Sequence, residues 1–126
     1  MERKIINTDS APAPIGPYNQ AVQVGNMLFI SGQIPINPQT GEIVKDGIQA
    51  ETRQVMDNLK AILYKAGMDF SDVVKTSIFL MDMGSFAQVN EVYGNYFTEN
   101  APARETVQVA GLPRGVNVEI SMIAAK

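Results

Sequence analysis

Arg104 and Glu119 are the two side chains whose types and positions best suit chemistry on a small molecule. Arg104 follows Pro102 at the start of a predicted strand, and its planar guanidinium can hold a carboxylate through two parallel hydrogen bonds. Glu119 stands between Val118 and Ile120 in an apolar strand, where a carboxylate is exposed, paired or functional. From the pattern alone, an exposed arginine at a strand edge is the more ordinary interpretation of Arg104, and the interpretation of Glu119 stays open.

The chain contains no cysteine and no histidine among its 126 residues, which restricts the chemistry available to it. Thiolate nucleophiles, Ser-His pairs and imidazole-bound zinc are excluded. Asp69 and Asp72 could be ligands for a hard cation, but a solvated turn beside Gly67 is the better interpretation of them. The glycines at positions 25, 32 and 41 do not form a dinucleotide-binding or phosphate-binding loop. We therefore expect no metal and no cofactor, and a chemistry carried by arginine, lysine, carboxylates, hydroxyls and backbone amides.

The overall composition is that of a globular protein, with 45% hydrophobic and 18% charged residues, and residues 1–126 are expected to form a single domain. The net charge is -3 and the basic residues form no run longer than Arg3-Lys4, which argues against nucleic acid as a partner. No apolar run approaches the roughly 20 residues that a membrane helix needs. The N-terminus becomes polar before the apolar region of a signal peptide could form. These features predict a cytoplasmic protein without membrane contact.

Two glycine-containing triplets add polar groups that could line a binding site. Gly16-Pro17-Tyr18 predicts a stiff turn that presents a phenol, and Ser31-Gly32-Gln33 places a hydroxyl beside a glycine at a strand end. A turn and a strand stop with no further role are the plainer interpretation of both. Asn90 on a predicted helix and Arg114 in the last predicted turn are further candidates.

The elements that must position these residues follow the order β-β-β-α-β-α-β-β. Gly25-Asn26 suits the turn of a hairpin, and Gly67 suits the end of the first helix, whose polar residues, Glu51 among them, fall outside its apolar stripe. The predicted strands and helices are Ala21–Val24, Met27–Ile30, a helix from Asp46 to Gly67, Val73–Met81, a helix opened by Ser85, Glu105–Val109 and Val116–Ala124.

Two helices with short crossovers are expected to cover one face of the resulting sheet, which leaves the other face in need of a cover. In the last strand, Glu119 and its alternate neighbours form a face that is neither wholly charged nor wholly apolar, which predicts a homo-oligomer with sites between subunits. If the last two strands form a hairpin, Thr106 opposes Glu119 and Arg104 is its diagonal neighbour at roughly 7–8 Å. Alternatively, another strand lies between them.

Together these motifs resemble the RidA family, the reactive-intermediate imine deaminases also called YjgF proteins. The resemblance covers nearly the whole chain and implies an α+β, chorismate-mutase-like fold: a six-stranded mixed sheet with two helices on one face, assembled as a homotrimer with three clefts between subunits. It is carried, in register, by Ile15-Gly16-Pro17-Tyr18, Phe29-Ile30-Ser31-Gly32-Gln33-Ile34-Pro35, Gln54 to Leu63, Phe86-Ala87-Gln88-Val89-Asn90-Glu91-Val92-Tyr93, Pro102-Ala103-Arg104, Pro113 and Val118-Glu119-Ile120.

The resemblance implies hydrolysis of 2-imino acids and their enamine tautomers, released by pyridoxal-phosphate-dependent dehydratases, to 2-oxo acids and ammonia. By this likeness, Arg104 holds the substrate carboxylate and Glu119 orients or activates the attacking water. The residues assigned to substrate binding are Tyr18, Ser31, Gly32, Asn90, Thr106 and Arg114.

Two positions depart from the usual pattern of the family. Thr106 stands where members commonly have cysteine, so thiol modification is impossible there, and Gly111 stands where a longer basic residue is common. The second change weakens the expectation of ribonuclease activity, as does the negative net charge. A non-enzymatic module that binds small carboxylates and regulates a partner is the main alternative, and a nuclease or translation inhibitor ranks last.

Overall fold

The computed structural model describes residues 2–126 as a six-stranded mixed sheet with two α-helices on one face, an α+β fold. The predicted order of elements is confirmed. The strands are β1 (Arg3–Ile6), β2 (Ala21–Val24), β3 (Met27–Gln33), β4 (Val73–Leu80), β5 (Ala103–Gln108) and β6 (Val118–Ala125), and the helices are α1 (Ile48–Lys65) and α2 (Phe86–Gly94).

The strands lie in the order β1-β2-β3-β6-β4-β5, so the last strand of the chain sits in the middle of the sheet. The β4 and β5 strands are parallel neighbours joined by α2, whereas all other pairs are antiparallel. A hairpin between β5 and β6 is therefore wrong, and the alternative with a strand between them is correct. The reason is that both neighbours of β6 come from distant parts of the chain.

The hydrophobic core fills the space between the helices and one face of the sheet. Alternate residues of β6 are buried there, and the residues between them face the opposite side, as the alternation predicts. Fully buried aliphatic side chains of α1 pack on this face, and the residues of α1 and β6 that form the centre of the core are Val55, Leu59, Ile62, Leu63, Val118, Ile120 and Met122. Burial of such side chains is the main stabilising term of the fold.

The first helix begins at Ile48, two residues after the predicted start, and ends where Gly67 adopts a φ of 76°. The amide of Met68 then bonds the carbonyl of Leu63 at 2.9 Å, which satisfies a carbonyl at the helix end. Glu51 does not lie on the exposed side, because it is only 4% exposed and its carboxylate bonds a residue next to β6.

The second face of the sheet carries no helix and exposes large apolar side chains. Phe29 on β3 and Val107 on β5 are 45% and 40% exposed. Phe79 of β4, the cross-strand partner of Val107, is half-buried on the same face. This open face is mixed in character, because Lys75 and Glu105 form an ion pair of 2.9 Å on it. Separately, none of the helices within residues 2–126 has the length and apolar character needed to cross a membrane.

Candidate active site

The predicted site residues fall into two groups on different parts of the chain. Five of the eight line one cleft of about 610 Å³, and the other three lie beside the outer strand β5. The Glu119 cleft is lined by Ile15, Tyr18, Ser31, Gly32, Ile34, Pro113, Arg114 and Glu119. The Arg104 edge consists of Asn90, Arg104 and Thr106.

Glu119 lies directly over Gly32, and the two residues depend on each other. A β-carbon at position 32 would lie 2.8 Å from Cδ and 3.0 Å from Cγ of Glu119, closer than real contacts allow. The strand β3 is irregular at this point, because its register with β6 shifts between Ile30 and Gln33. Across this shift β3 has one residue more than β6, which is a β-bulge. A bulge bends a strand and redirects its side chains, and here it brings Ser31 and Gly32 to the cleft.

The carboxyl group of Glu119 is half-buried, and burial raises its pKa above the ordinary value. Removal from water disfavours the charged form, and no cation within residues 2–126 offsets this effect on the pKa. Burial therefore governs the pKa of Glu119 within a single chain. A carboxyl group with a raised pKa can exchange protons closer to neutral pH than an ordinary glutamate.

Tyr18 and Ser31 are held at the cleft by the turn that precedes β2. The Ser31 hydroxyl donates to the carbonyl of Asn19 at 2.7 Å, which leaves its oxygen as an acceptor for a ligand. The Ile15 amide donates to the Tyr18 phenol at 3.4 Å, and the Tyr18 amide donates to the carbonyl of Gly16 at 2.8 Å. Tyr18 is 48% exposed, so its ring stands at the mouth of the cleft.

Gln20 is a positioning residue that the sequence did not reveal. Its side chain is 1% exposed; Oε1 accepts from the Thr8 amide at 2.7 Å, and Nε2 donates to the carbonyls of Thr8 at 3.0 Å and Pro12 at 2.8 Å. It thereby fixes the segment that carries Tyr18. A single glutamine before an apolar strand gives no signal of such a role, because its partners are loop carbonyls.

Arg114 reaches the cleft from the tight turn between β5 and β6. It adopts a φ of 57°, and Gly115 follows with a φ of 70°, so two consecutive residues are in the left-handed region. This conformation costs free energy for a residue with a side chain and persists only where the surroundings hold it.

At the other group, α2 holds the guanidinium of Arg104. Its Nη1 donates to the Asn90 side-chain oxygen at 2.6 Å. The guanidinium carbon also lies 5.4 Å from the ring centre of Phe86 and 5.1 Å from that of Tyr93, within the range of cation–π attraction. The Thr106 hydroxyl on the same face of β5 is buried and has no hydrogen-bond partner within residues 2–126. The Arg104 edge therefore offers an oriented cation and an unused hydroxyl.

Arg104 and Glu119 do not meet within one chain. The strand β4 separates them, and Phe79 pairs with Glu119 on one side and with Val107 on the other, so Glu119 faces away from Arg104 and Thr106. The predicted diagonal contact at roughly 7–8 Å is therefore wrong. Glu105, the next residue of β5, points away from Arg104, since its carboxylate bonds Ser77 and Lys75 on the open face.

No group of three or more histidine, cysteine, aspartate or glutamate side chains in the part of the chain that the structure describes could hold a metal ion. The chemistry that the described groups can offer is binding of an anion by Arg104, hydrogen bonding by hydroxyls, and proton transfer by Glu119.

The fold is that of a small α+β protein, with a six-stranded mixed sheet whose middle contains the last strand of the chain. It carries a cleft lined by Glu119 and Arg114 and a separate edge that holds Arg104. The sequence model of the family described as Endoribonuclease L-PSP matches residues 8–126. This chain belongs to that family, the YjgF/RidA family.

Relatives with high identity cover almost the whole chain. The 2-iminobutanoate/2-iminopropanoate deaminase of Mus musculus is 51% identical over 98% of this chain and 92% of its own length. The crystal structure of RidA from a Psychrobacter species superposes with a TM-score of 0.94 at 46% identity, covering 98% and 99% of the two chains. E. coli TdcF with bound serine has a TM-score of 0.94 at 47% identity, covering 98% of each chain. Several relatives of similar identity are named only as RutC family proteins.

Proposed function

We propose that this protein hydrolyses small 2-imino acids and their enamine tautomers, such as 2-iminobutanoate and 2-aminoacrylate, to 2-oxo acids and ammonia. The observation that carries the proposal is the half-buried Glu119 carboxyl group, with its raised pKa, held over Gly32 in a cleft beside two hydroxyls. The name of the mouse relative, which is 51% identical, supports the same reaction.

In this proposal, the working site forms between two copies of the chain in a homotrimer. Arg104 and Glu119 lie on opposite faces of one sheet, so a substrate that needs both must take them from different subunits. The exposed apolar side chains Phe29 and Val107 support an interface on the open face. Arg104 of one subunit then binds the substrate carboxylate, and the Glu119 cleft of another subunit receives the imine carbon.

The reaction itself needs only water and proton transfer. Water adds to carbon 2 of the protonated imine, forming a C–O bond and a carbinolamine, with a proton passing to Glu119. The same group returns a proton to nitrogen. The C–N bond then breaks as the hydroxyl oxygen forms the C=O bond and gives its proton to water, and ammonia leaves the 2-oxo acid. Acid–base assistance of this kind contributes roughly 10² to 10⁴ in rate, which is sufficient for an imine that also hydrolyses without catalysis.

The test follows 2-oxobutanoate release from L-threonine by a pyridoxal-phosphate-dependent dehydratase, with and without this protein. We expect acceleration by the wild type and its loss in both Arg104→Ala and Glu119→Gln. Lys126→Ala serves as the matched control, because the Lys126 side chain donates its one hydrogen bond within residues 2–126 to the Gly67 carbonyl at 3.0 Å, and Lys126 follows the end of β6 opposite to Glu119. No acceleration by the wild type, or full acceleration by Arg104→Ala, would refute the mechanism.

A carboxylate-binding regulatory module is the second candidate, favoured by the solved structure of E. coli TdcF, a relative that contains bound serine. That function needs Arg104 but not a proton-transferring acid. Binding of 2-oxobutanoate in calorimetry without any acceleration of imine hydrolysis would select it. Steeply salt-dependent RNA binding would instead select the nuclease function that the name of the family carries.

We further propose that the protein acts in the cytoplasm as a metabolite damage-control enzyme. Imines released by pyridoxal-phosphate-dependent dehydratases are short-lived in water, so a hydrolase that removes them must share their compartment. No stable complex with a dehydratase is required, because the imine diffuses freely.

A further inference from the structure

Glu51 is a buried carboxylate that the proposed reaction does not use. It lies in the first turn of α1, is 4% exposed and has no cationic partner within residues 2–126. Its partner is Asn117: the side-chain amide donates to Oε2 at 2.9 Å and the backbone amide donates to Oε1 at 3.2 Å. Both carboxylate oxygens are therefore engaged by a single residue.

Asn117 connects the tight turn that contains Arg114 and Gly115 to the first residue of β6. Arg114 precedes it by three residues and Glu119 follows it by two, and both line the cleft. Its carbonyl also accepts a hydrogen bond from the Met81 amide at 3.1 Å. Asn117 is thus held by the residue that follows β4 on one side and by α1 on the other.

The turn that precedes Asn117 is held weakly by its own bonds. The Gly115 amide bonds the Leu112 carbonyl at 3.2 Å, and the Val116 amide bonds the Pro113 carbonyl at 3.4 Å. Arg114 nevertheless keeps a left-handed conformation, which a residue with a side chain adopts at a cost in free energy, so we expect an anchor outside the turn. The Glu51–Asn117 pair supplies that anchor.

We infer that Glu51 is a positioning residue for the cleft, which acts through Asn117 to fix the wall formed by Pro113 and Arg114. This inference rests on the proposed function for its kinetic readout, but not for its structural one. A carboxylate suits this position, because it can accept both hydrogen bonds and because negative charge is favourable at a helix N-terminus.

The test is a double-mutant cycle of Glu51→Ala, Asn117→Ala and the double variant, assayed for imine hydrolysis. We expect Glu51→Ala to raise KM about 10-fold with kcat changed less than about 2-fold, because the wall binds substrate and transition state alike. Asn117→Ala, which keeps its backbone amide, has a smaller effect. The double variant is no worse than Glu51→Ala, as is characteristic of a coupled pair.

Thr52→Val is the matched control, since Thr52 is fully buried in the same helical turn and its hydroxyl donates only to the Ile48 carbonyl at 2.7 Å. It should lower the melting temperature and leave KM unchanged. If Glu51→Ala behaves in the same way, with a reduced active fraction but an unchanged KM, the positioning role is overturned and Glu51 only stabilises the fold.

Amide NMR spectra provide a readout that does not need activity. In Glu51→Ala we expect the resonances of Arg114 and Gly115 to shift and broaden, whereas in Thr52→Val they remain in place. Unchanged Arg114 and Gly115 resonances in Glu51→Ala would overturn the inference. If the wild type hydrolyses no imine, the proposed function fails, and the spectra still decide the role of Glu51.

Discussion

Gly32 and Glu119 work as one unit, because the carboxyl group of Glu119 occupies the space that a side chain at position 32 would need. The glycine is required here by a neighbour rather than by its own backbone conformation. The carboxyl group, in turn, gains a defined position against the backbone of β3. Substitution at either residue should therefore impair the same proposed reaction.

Gly32→Ala should reduce imine hydrolysis about 100-fold, because the new methyl group displaces the Glu119 carboxyl group by about 1 Å. We expect circular dichroism spectra like those of the wild type. Gly94→Ala is the control, since nothing lies within 4 Å of the position where its β-carbon would be. Equal activity of Gly32→Ala and Gly94→Ala would mean that the position of Glu119 is irrelevant to the reaction.

Glu119 should also keep its proton to higher pH than Glu105, which provides an internal comparison. Burial raises the pKa of Glu119 above 4.5, whereas Ser77 and Lys75 lower the pKa of Glu105. The contribution of Glu105 to the free energy of unfolding is lost as the pH falls through its lowered pKa. The contribution of Glu119 to the free energy of unfolding changes in the opposite direction. It is fully present below the ordinary pKa of a glutamate and decreases as the pH rises through the raised pKa of Glu119.

The measurement for this pair is a pH titration of side-chain carboxyl carbons by NMR. Glu119 should titrate at the higher pH of the two. If Glu119 titrates at or below Glu105, a cation must approach it in the assembled protein, and its burial would not govern its protonation.

At the scale of elements, α2 acts as a support for the arginine on β5. Asn90 and the rings of Phe86 and Tyr93 all come from one side of this helix and surround the guanidinium of Arg104. Tyr93 is fixed in turn by a hydrogen bond of 2.8 Å between its phenol and the Thr76 hydroxyl on β4. The β4–α2–β5 unit therefore orients the cation before a substrate arrives.

Asn90→Ala should weaken this orientation and raise KM about 5-fold, equivalent to about 1 kcal/mol for a lost hydrogen bond. The stacking on Phe86 and Tyr93 remains, so kcat changes less. Gln88→Ala, an exposed change on the same helix, is the control. An unchanged KM in Asn90→Ala would show that aromatic stacking alone suffices to hold Arg104.

The elements were predictable from sequence because hydrophobic periodicity is a local signal, and the β6 alternation was confirmed residue by residue. The order of the strands in the sheet could not be predicted in this way, because β6 pairs with β3 and β4, which come from distant parts of the chain. The same limit applies to Glu51, whose partner Asn117 is 66 residues away. Tyr18 and Ser31, which the family resemblance assigns to substrate binding, both line the Glu119 cleft, whereas periodicity alone left them as ordinary turn residues.

At the scale of the whole molecule, the proposed function gives each chain two unlike half-sites. The Glu119 cleft and the Arg104 edge lie on opposite sides of β4, so they do not meet within one chain. An assembly in which the cleft of one subunit meets the edge of the next closes into a ring, and a homotrimer satisfies this requirement.

Complementation tests this arrangement directly. Arg104→Ala and Glu119→Gln should each be inactive alone, whereas trimers reassembled from an equal mixture should recover about a quarter of wild-type activity, since random pairing restores that share of sites. The measurement is imine hydrolysis after unfolding and refolding the mixture. A mixture as inactive as its parents would place both residues in one subunit's site and contradict the assembly.

Under the proposed function, the separation of the half-sites would also set how activity depends on the amount of protein in a cell. A newly made chain would be inert until it met other copies, so we expect catalytic output to rise more steeply than linearly with expression at low abundance. Basal transcription would then yield almost no activity, and a modest induction would yield a sharp response. The position of β4 between Arg104 and Glu119 would thereby give the proposed reaction a threshold in gene expression.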